Sequence, residues 1–502
     1  MNTASIDRTS RSSQKLDGFI RQFAIARSPV TFLESWKKTP VGPFFLYAHP
    51  ALPQIKVEDE QGTLIGILLG WPVSLRLGVL EDGRTYALDP ARYNGEGSKA
   101  ESDPAWLYED LAGRWIFLSL RAHRIYLDPC GSQALVYSPS AMIAASTPGL
   151  IPCATKDYAS PSDCETDTEL VKLMDILESG LYYPFGTTHR RDVKRVVPNH
   201  YLCLQTWKVR RHYPSALEEN STAEAAATII ELSRVIATHL GAVWPLQANL
   251  TAGRDSRMLL ACLRSHVAKI KFFTNEIPFQ NSNALDLSVA TRVARKMNLV
   301  HALTPYEKAS EEESADWLAR TGWCVAGNSL LCARTRGNQD PARCNLPANL
   351  GELGRAFFWK DGLDSGIALE PKELFSRLHL PYNESLLEAA ANWLSELPVQ
   401  DPPAVLDLLY LEQRVGPLFS VLNYGETTEA PSIYLWNHRR IMEAMMGLPK
   451  ESKQAGDIYG AVIRVAWPEL LQFPFNQDFG FRWQLRRLKR AGRRIIGGRF
   501  RV

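Results

Sequence analysis

Several features that would assign this chain to a class at once are missing from it. Its eight cysteines (130, 153, 164, 203, 262, 324, 332 and 344) form no CxxC pair and have no histidine at zinc-ligand spacing. That excludes a zinc cluster and a disulfide framework and predicts reduced thiols. There is no GxSxG and no HExxH, so the nucleophile-elbow hydrolases and the zincins are excluded, and the histidines, His301 and His438 among them, read as structural. No clean run of about 20 apolar residues occurs. The most apolar stretch, Leu64 to Leu80, is interrupted by Pro72, Arg76 and three glycines (Gly66, Gly70, Gly78) and reads as paired strands. The opening MNTASIDRTSRSSQKLDG is polar and lacks the apolar core of a secretion signal. These absences predict no transmembrane segment and a cytoplasmic protein.

What is present is ordinary for a folded chain: 45% hydrophobic and 22% charged residues. A length of 502 residues exceeds what one core organises and predicts two domains with tails. The formal charge of +3 is unevenly spread, because residues 479–502 hold nine Arg and Lys and no acid. Within that tail Leu485, Leu488, Ala491 and Ile495 fall on one helical face among arginines. This is either a surface for acidic partners or a solvated terminal helix.

Residues 1–17 read as a flexible arm. From 18 to 215 short β-type runs such as TLIGILLG, WIFLSL and RIYLDP alternate with turn residues, predicting a sheet-rich domain. Pro214 to Asn220 reads as a linker. Ser221 with Glu224 then forms a capping-box signature that opens a helix. The order that follows is strand PLQANL, loop, helix SRMLLACLR, strand KIKFFT, helix ALDLSVATRVARKMN, strand LVHALT. A βαβαβ order predicts a parallel sheet with right-handed crossovers. Beyond about 365, patterns such as PAVLDLLYLEQRVGPLFSVL and HRRIMEAMMGL predict a helical extension, so the domain runs over 221–478, with the basic tail at 479–502.

The first loop of that sheet, Thr251, Ala252, Gly253, Arg254, Asp255 and Ser256, carries the chemistry. A strand that feeds a small-residue turn into a helix gathers unpaired N–H groups at the positive end of the helix dipole, where phosphate fits. Ala252 and Gly253 let an anion approach the backbone, and Thr251 and Ser256 offer hydroxyls. Asp255 can hold the magnesium ion that accompanies a nucleotide, while Arg254 and Arg257 add positive charge. The alternative is a plain turn with Asp255 or Ser256 as helix N-cap. Spacing alone leaves both open.

LTAGRDSR resembles the SGGxDS pyrophosphate loop of the PP-loop ATP pyrophosphatases, specifically of the asparagine synthetase family: Gly253, Asp255 and Ser256 agree, and Thr251 and Ala252 replace Ser and Gly. DLSVATRVARKMNLVHALTP, with Asp286, Ala290 and Ala294, is similar to that family's next helix. NLGELGRAFFW resembles its Gly-rich acidic loop, with Glu352 matching the glutamate and Gly351 replacing an aspartate. TTEAPSIYLWNHRRIMEAMMGLP is similar to a later segment. In the first half, GRWIFLSLRAHRIYLDPCGSQALVYS, with Asp128, Pro129 and Gly131, and the run ending at Pro198 and His200 resemble the family's glutaminase domain. The resemblance implies an α/β protein, an Ntn-hydrolase-like sheet-rich domain before a Rossmann-like PP-loop domain. It also implies ATP and Mg2+, held by Leu250, Thr251, Ala252, Gly253, Arg254, Ser256, Arg257, Thr274 and Gly351, with Asp255 as metal ligand and Asp255 and Glu352 as catalytic residues.

Two departures bear on the chemistry. The family's glutaminase nucleophile is a cysteine after the initiator Met, and here residue 2 is Asn and the nearest cysteine is Cys130. Glutamine hydrolysis by that route is therefore expected to be absent. The family's late lysine, four residues before an arginine, falls on Gly460 if Arg464 sets the register, with Lys450 and Lys453 the nearest lysines upstream. The expected activity is adenylation of a small-molecule or peptide carboxylate and its capture by ammonia or a substrate amine. The alternatives are a binding or scaffold homologue without catalysis, or a PP-loop enzyme acting on tRNA. Tyr410, Glu412 and Arg414 are either a proton relay, as the resemblance to cyclising relatives of that family implies, or helix packing with a surface ion pair, and the second is favoured. Phe357 and Phe358 read as core.

Overall fold

The computed structural model describes residues 18–87, 105–152, 166–213, 218–277, 283–325, 340–360, 363 and 369–476. The N-terminal arm and the basic tail, with the helical face read in it, lie outside these residues. The protein is a mixed α/β chain with a sheet-rich first half and a parallel sheet in the second.

The first half stacks two sheets. One has six strands in the spatial order Lys194–Val196, Leu135–Ser138, Ile143–Ala145, Phe23–Ala26, Phe44–Ala48 and Lys37–Val41. The other runs Lys208–Arg211, His200–Cys203, Arg124–Leu127, Leu111–Ser119, Leu64–Ser74, Gln54–Glu58 and Thr85–Ala87. The apolar stretch from Leu64 does form paired strands, since Leu64–Ser74 turns back on Gly78–Val79 antiparallel. Alternation decides which residues meet between the sheets. Ile67, Leu69, Trp71 and Val73 share one core with Phe23, Ile25 and Leu46 of the other sheet, while Ile65 and Leu68 pack into a separate outer cluster around Trp115 and Tyr126.

The second half begins with the helix Thr222–Val243, which Ser221 and Glu224 cap reciprocally. By length and apolarity alone this helix could cross a membrane, with a mean hydropathy of 1.3 over its best window. Its buried residues, Ile229, Ile236 and Leu240 among them, instead join the main core with Ile441 and Met445 of the helix Arg439–Met446. The sheet that follows has four parallel strands in the order His301–Thr304, Ile270–Asn275, Leu246–Asn249 and Cys344–Leu346. Counted along the chain that is 3-2-1-4, so the direction of winding reverses between the first strand and the fourth. Ligands of such sheets bind beyond the carboxyl ends at that reversal.

The helical extension holds seven α-helices between Pro371–Leu378 and Asp457–Ala466 among the described residues, and one surprise. Where the pattern predicts a single helix through PAVLDLLYLEQRVGPLFSVL, the helix Pro402–Tyr410 passes into a π-helical segment, Leu411–Phe419, before α-helix resumes at Ser420–Gly425. Pro417 lies inside the wide turns. A proline has no N–H to give an α-helical ladder, and the π register accommodates it.

The halves are joined by buried polar contacts. Arg211 of the first half grips Glu412 through two bonds of 2.6 and 2.7 Å, and Trp393 and Asn199 donate to the same carboxylate at 2.7 and 2.8 Å. Glu412 has no exposed surface. The expectation of a surface ion pair here is corrected: the wide turn carries Glu412 inward, and it belongs to the interface between the halves. The Asp128 turn makes the same kind of contact, taking a hydrogen bond from Asn437 at 2.8 Å.

Candidate functional site

A cavity of about 400 Å³ opens where the sheet reverses. Its walls come from the carboxyl ends of three strands and their following loops, from Trp317, and from the π segment and its continuation through Phe419, Asn423 and Glu426. Of the residues predicted to contact a nucleotide, Thr251, Gly253, Asp255, Ser256 and Thr274 line it. So does a set no motif pointed to, including Asn249, Asn275, Asn345 and Tyr434. The volume falls within the range of small-molecule pockets, about 300 to 1,000 Å³.

The loop is held by its own side chains. The helix Arg254–Cys262 starts directly after Gly253, and no side chain caps it. Ser256 Oγ accepts from Thr251 N–H at 3.1 Å and lies 2.8 Å from the Thr251 hydroxyl, which accepts from Gly253 N–H at 3.0 Å. Asp286 accepts from Ala252 N–H at 2.8 Å. Burial raises the Asp286 carboxyl above its usual range. An anion in the loop is therefore left with the first-turn N–H groups of the helix and the two hydroxyls.

The predicted cations lie elsewhere. Arg257 is completely buried and donates to the carbonyls of Phe473, Pro474 and Ala252 at 2.6 to 2.8 Å, over the Phe475 ring. These contacts strap the segment Phe473–Asn476 to the loop, aided by Asn476 N–H on the Ala252 carbonyl at 3.0 Å. Arg254, Leu250, Ala252 and Gly351 are not among the residues lining the cavity either. Arg254 turns toward Gly456 and Phe475. Leu250 presents its carbonyl to the Thr274 hydroxyl at 2.7 Å.

Behind Asp255 lies a compact charged cluster. The strand Cys344–Leu346 leads into Leu350, whose φ of +79° is rare for a residue with a side chain, and then into the short 3₁₀ turn Gly351–Gly354. This turn sets Glu352 beside Asp255. The Tyr459 hydroxyl, from the helix Asp457–Ala466, lies 2.9 Å from both Asp255 Oδ1 and the Gly351 carbonyl. Arg355 stands 3.7 Å from Glu352. Burial, and next the Asp255 charge, push Glu352 up to about 7. Burial also raises Asp255, against the pull of Arg355. Tyr410 is buried here against Phe357, their ring centroids 4.7 Å apart. Its electrostatic neighbour is Glu352, which raises the phenol after burial does. Phe357 and Phe358, expected in the core, are half-buried at its edge.

This donor set does not fit a magnesium ion held between two carboxylates. A Cβ on Gly351 would stand 2.5 Å from Asp255 Oδ1, so an acid there would displace the Asp255 carboxylate from its bond with Tyr459. Among the described residues no group of three or more His, Cys, Asp or Glu is placed to hold a metal. Lys453 is no candidate cation for the cavity, being buried in an ion pair with Asp407, and Lys450 pairs with Asp401 at the surface. Cys130 is fully buried and its thiol is pushed well above the usual range, first by burial, the reverse of an activated nucleophile. His301 and His438 serve structure: His301 lies 2.8 Å from the Thr274 hydroxyl, and His438 caps the helix Arg439–Met446.

No family model and no curated protein matches the chain. Among solved structures it is similar to glutamine-dependent NAD+ synthetase from Acinetobacter baumannii in complex with adenosine diphosphate, at 13% identity and a TM-score of 0.16. That match covers 41% of this chain and spans about half (49%) of the other. A likeness this slight carries no argument. These comparisons place the chain in no family.

Proposed function

We propose that the protein is an ATP-dependent ligase of the PP-loop kind, resembling asparagine synthetase in its chemistry. The observation that supports this most is the loop Thr251–Ser256, set at the carboxyl end of the first parallel strand, where the winding reverses, and opening both a helix and the cavity. In this reading the nucleotide lies along the strand ends. The loop hydroxyls and the first-turn N–H groups of Arg254–Cys262 receive its β- and γ-phosphates. A substrate carboxylate oxygen attacks the α-phosphorus and the bond to the pyrophosphate oxygen breaks, leaving an acyl-adenylate. An amine nitrogen then attacks the acyl carbon, AMP departs and an amide is formed. Fixed dipoles at the pyrophosphate end contribute by being oriented before charge develops there.

The amine must lose a proton in the second step. Glu352, at about 7, is tuned to take one up near neutrality; it stands behind the cavity wall and feels the charge of Asp255, which lines the cavity. With Asn at residue 2 and the Cys130 thiol buried and pushed up, the amine in this reading is ammonia or a group carried by a substrate.

A second reading, a nucleotide-binding protein without catalysis, is favoured by one observation: Asp286 already occupies Ala252 N–H. The test is to incubate the purified chain with ATP and pools of carboxylates and amines. The ligase reading expects AMP and pyrophosphate in equal amounts with amide. ATP binding without AMP formation across all pools would support the second reading.

A further inference from the structure

We propose that Arg355 is the resident counter-cation of the Asp255 and Glu352 pair, filling the electrostatic place of a divalent ion held between two carboxylates, so that the protein binds no such ion there.

Four observations converge on this. The position that could supply another acid, Gly351, is crowded, because a Cβ there would meet Asp255 Oδ1 at 2.5 Å and Trp436 at 3.0 Å and would have to displace the Asp255 carboxylate. Asp255 Oδ1 is already occupied by the Tyr459 hydroxyl at 2.9 Å, which ties it to the Gly351 carbonyl as well. Arg355 leaves the same 3₁₀ turn as Glu352, 3.7 Å from its carboxylate and 5.1 Å from the centre of the Phe357 ring. The charges of Asp255 and Glu352 both act on the Arg355 guanidinium, and it acts back on each.

Two carboxylates brought together away from water are relieved either by a proton on one of them or by a cation beside them. A magnesium ion supplies two charges but demands near-octahedral oxygen ligands at about 2.0 to 2.1 Å. A guanidinium supplies one permanent charge and makes no such demand. With Arg355 in place, a further divalent ion would meet a like charge, and its ligands would be reduced to what Asp255 has left. Nucleotide binding at the loop should then not depend on a protein-held metal. That last consequence rests on the ligase reading above; the metal statement does not.

The test is a titration of Mn2+ alone into the full chain, read by the electron paramagnetic resonance of the free ion. Wild type is expected to take up no ion below millimolar concentration. Arg355→Met should gain one site at least tenfold tighter, and adding Asp255→Asn should remove that gain. Micromolar uptake by wild type that Asp255→Asn abolishes would overturn the inference, as would the absence of any gain in a folded Arg355→Met. Should Arg355→Met fail to fold, the wild-type and Asp255→Asn titrations decide alone. ATP titrated by calorimetry in EDTA and in Mg2+ separates the two claims. Affinities within threefold support both, whereas binding in neither buffer defeats the nucleotide reading and leaves Arg355 to the Mn2+ result.

Discussion

Replacing Glu352 by Gln should stabilise the protein at high pH and leave it nearly unchanged at low pH. The carboxyl titrates at about 7 in the fold against 4.5 free, because burial and the Asp255 charge oppose its ionisation. With 18% of the side chain exposed, solvent screening is limited. A group raised in this way favours the fold fully below its unfolded value. That contribution is lost as pH climbs from about 4.5 through about 7, because the native state must then carry an ionised pair. The free energy involved is on the order of 3 kcal/mol above pH 8. Gln keeps the shape and never ionises, so it removes the pH-dependent part. Thermal and urea unfolding at pH 5 and pH 8.5 would measure it: the variant should match wild type at pH 5 and exceed it by about 2 to 3 kcal/mol at pH 8.5. An equal difference at both values would refute the argument, since it would mean that Glu352 is not the titrating group.

Glu412→Gln should cost about 3 kcal/mol or more of stability, because it leaves the Arg211 guanidinium without its counter-charge in a buried interface; urea unfolding that shows less than about 1 kcal/mol contradicts the contact. Gly351→Asp should lower the melting temperature and create no Mn2+ site, because its Cβ presses on Asp255; a stable variant that binds the ion would show the turn to be free to move. Glutamine incubated with the protein should release no glutamate above background, and Cys130 should resist thiol reagents in the native state; steady glutamate formation would show a nucleophile other than Cys130 at work.

The parallel sheet was legible because its signals are local and strong. An apolar strand, a small-residue turn and an amphipathic helix recur in order, and Ser221 with Glu224 marks the entry to the domain. The fourth strand, Cys344–Leu346, is three residues long and passes below any periodic pattern, although it sets the reversal on which the site depends. The loop was found by its composition, but which of its groups face the cavity was not. Arg257 reads as a phosphate cation until the chain folds the carbonyls of Phe473 and Pro474 onto it. Tyr459 and Arg355 carried no signal, since their roles come from a helix and a turn that meet Asp255 only in three dimensions. Glu412 misled for the opposite reason: a Glu two residues from an Arg reads as a surface pair, and only the π-helical turn around Pro417 sends it inward.

The central claim is that the loop Thr251–Ser256 receives the phosphates of a nucleotide, and a calorimetric titration of ATP into wild type and Thr251→Glu tests it most directly. Thr251 lines the cavity at the loop, so a carboxylate there opposes the phosphates without entering the buried core. Wild type should bind one ATP with saturable heat, and Thr251→Glu should weaken that binding at least tenfold while melting within a few degrees of wild type. Equal affinity in the two proteins, or no heat with wild type, would contradict the account.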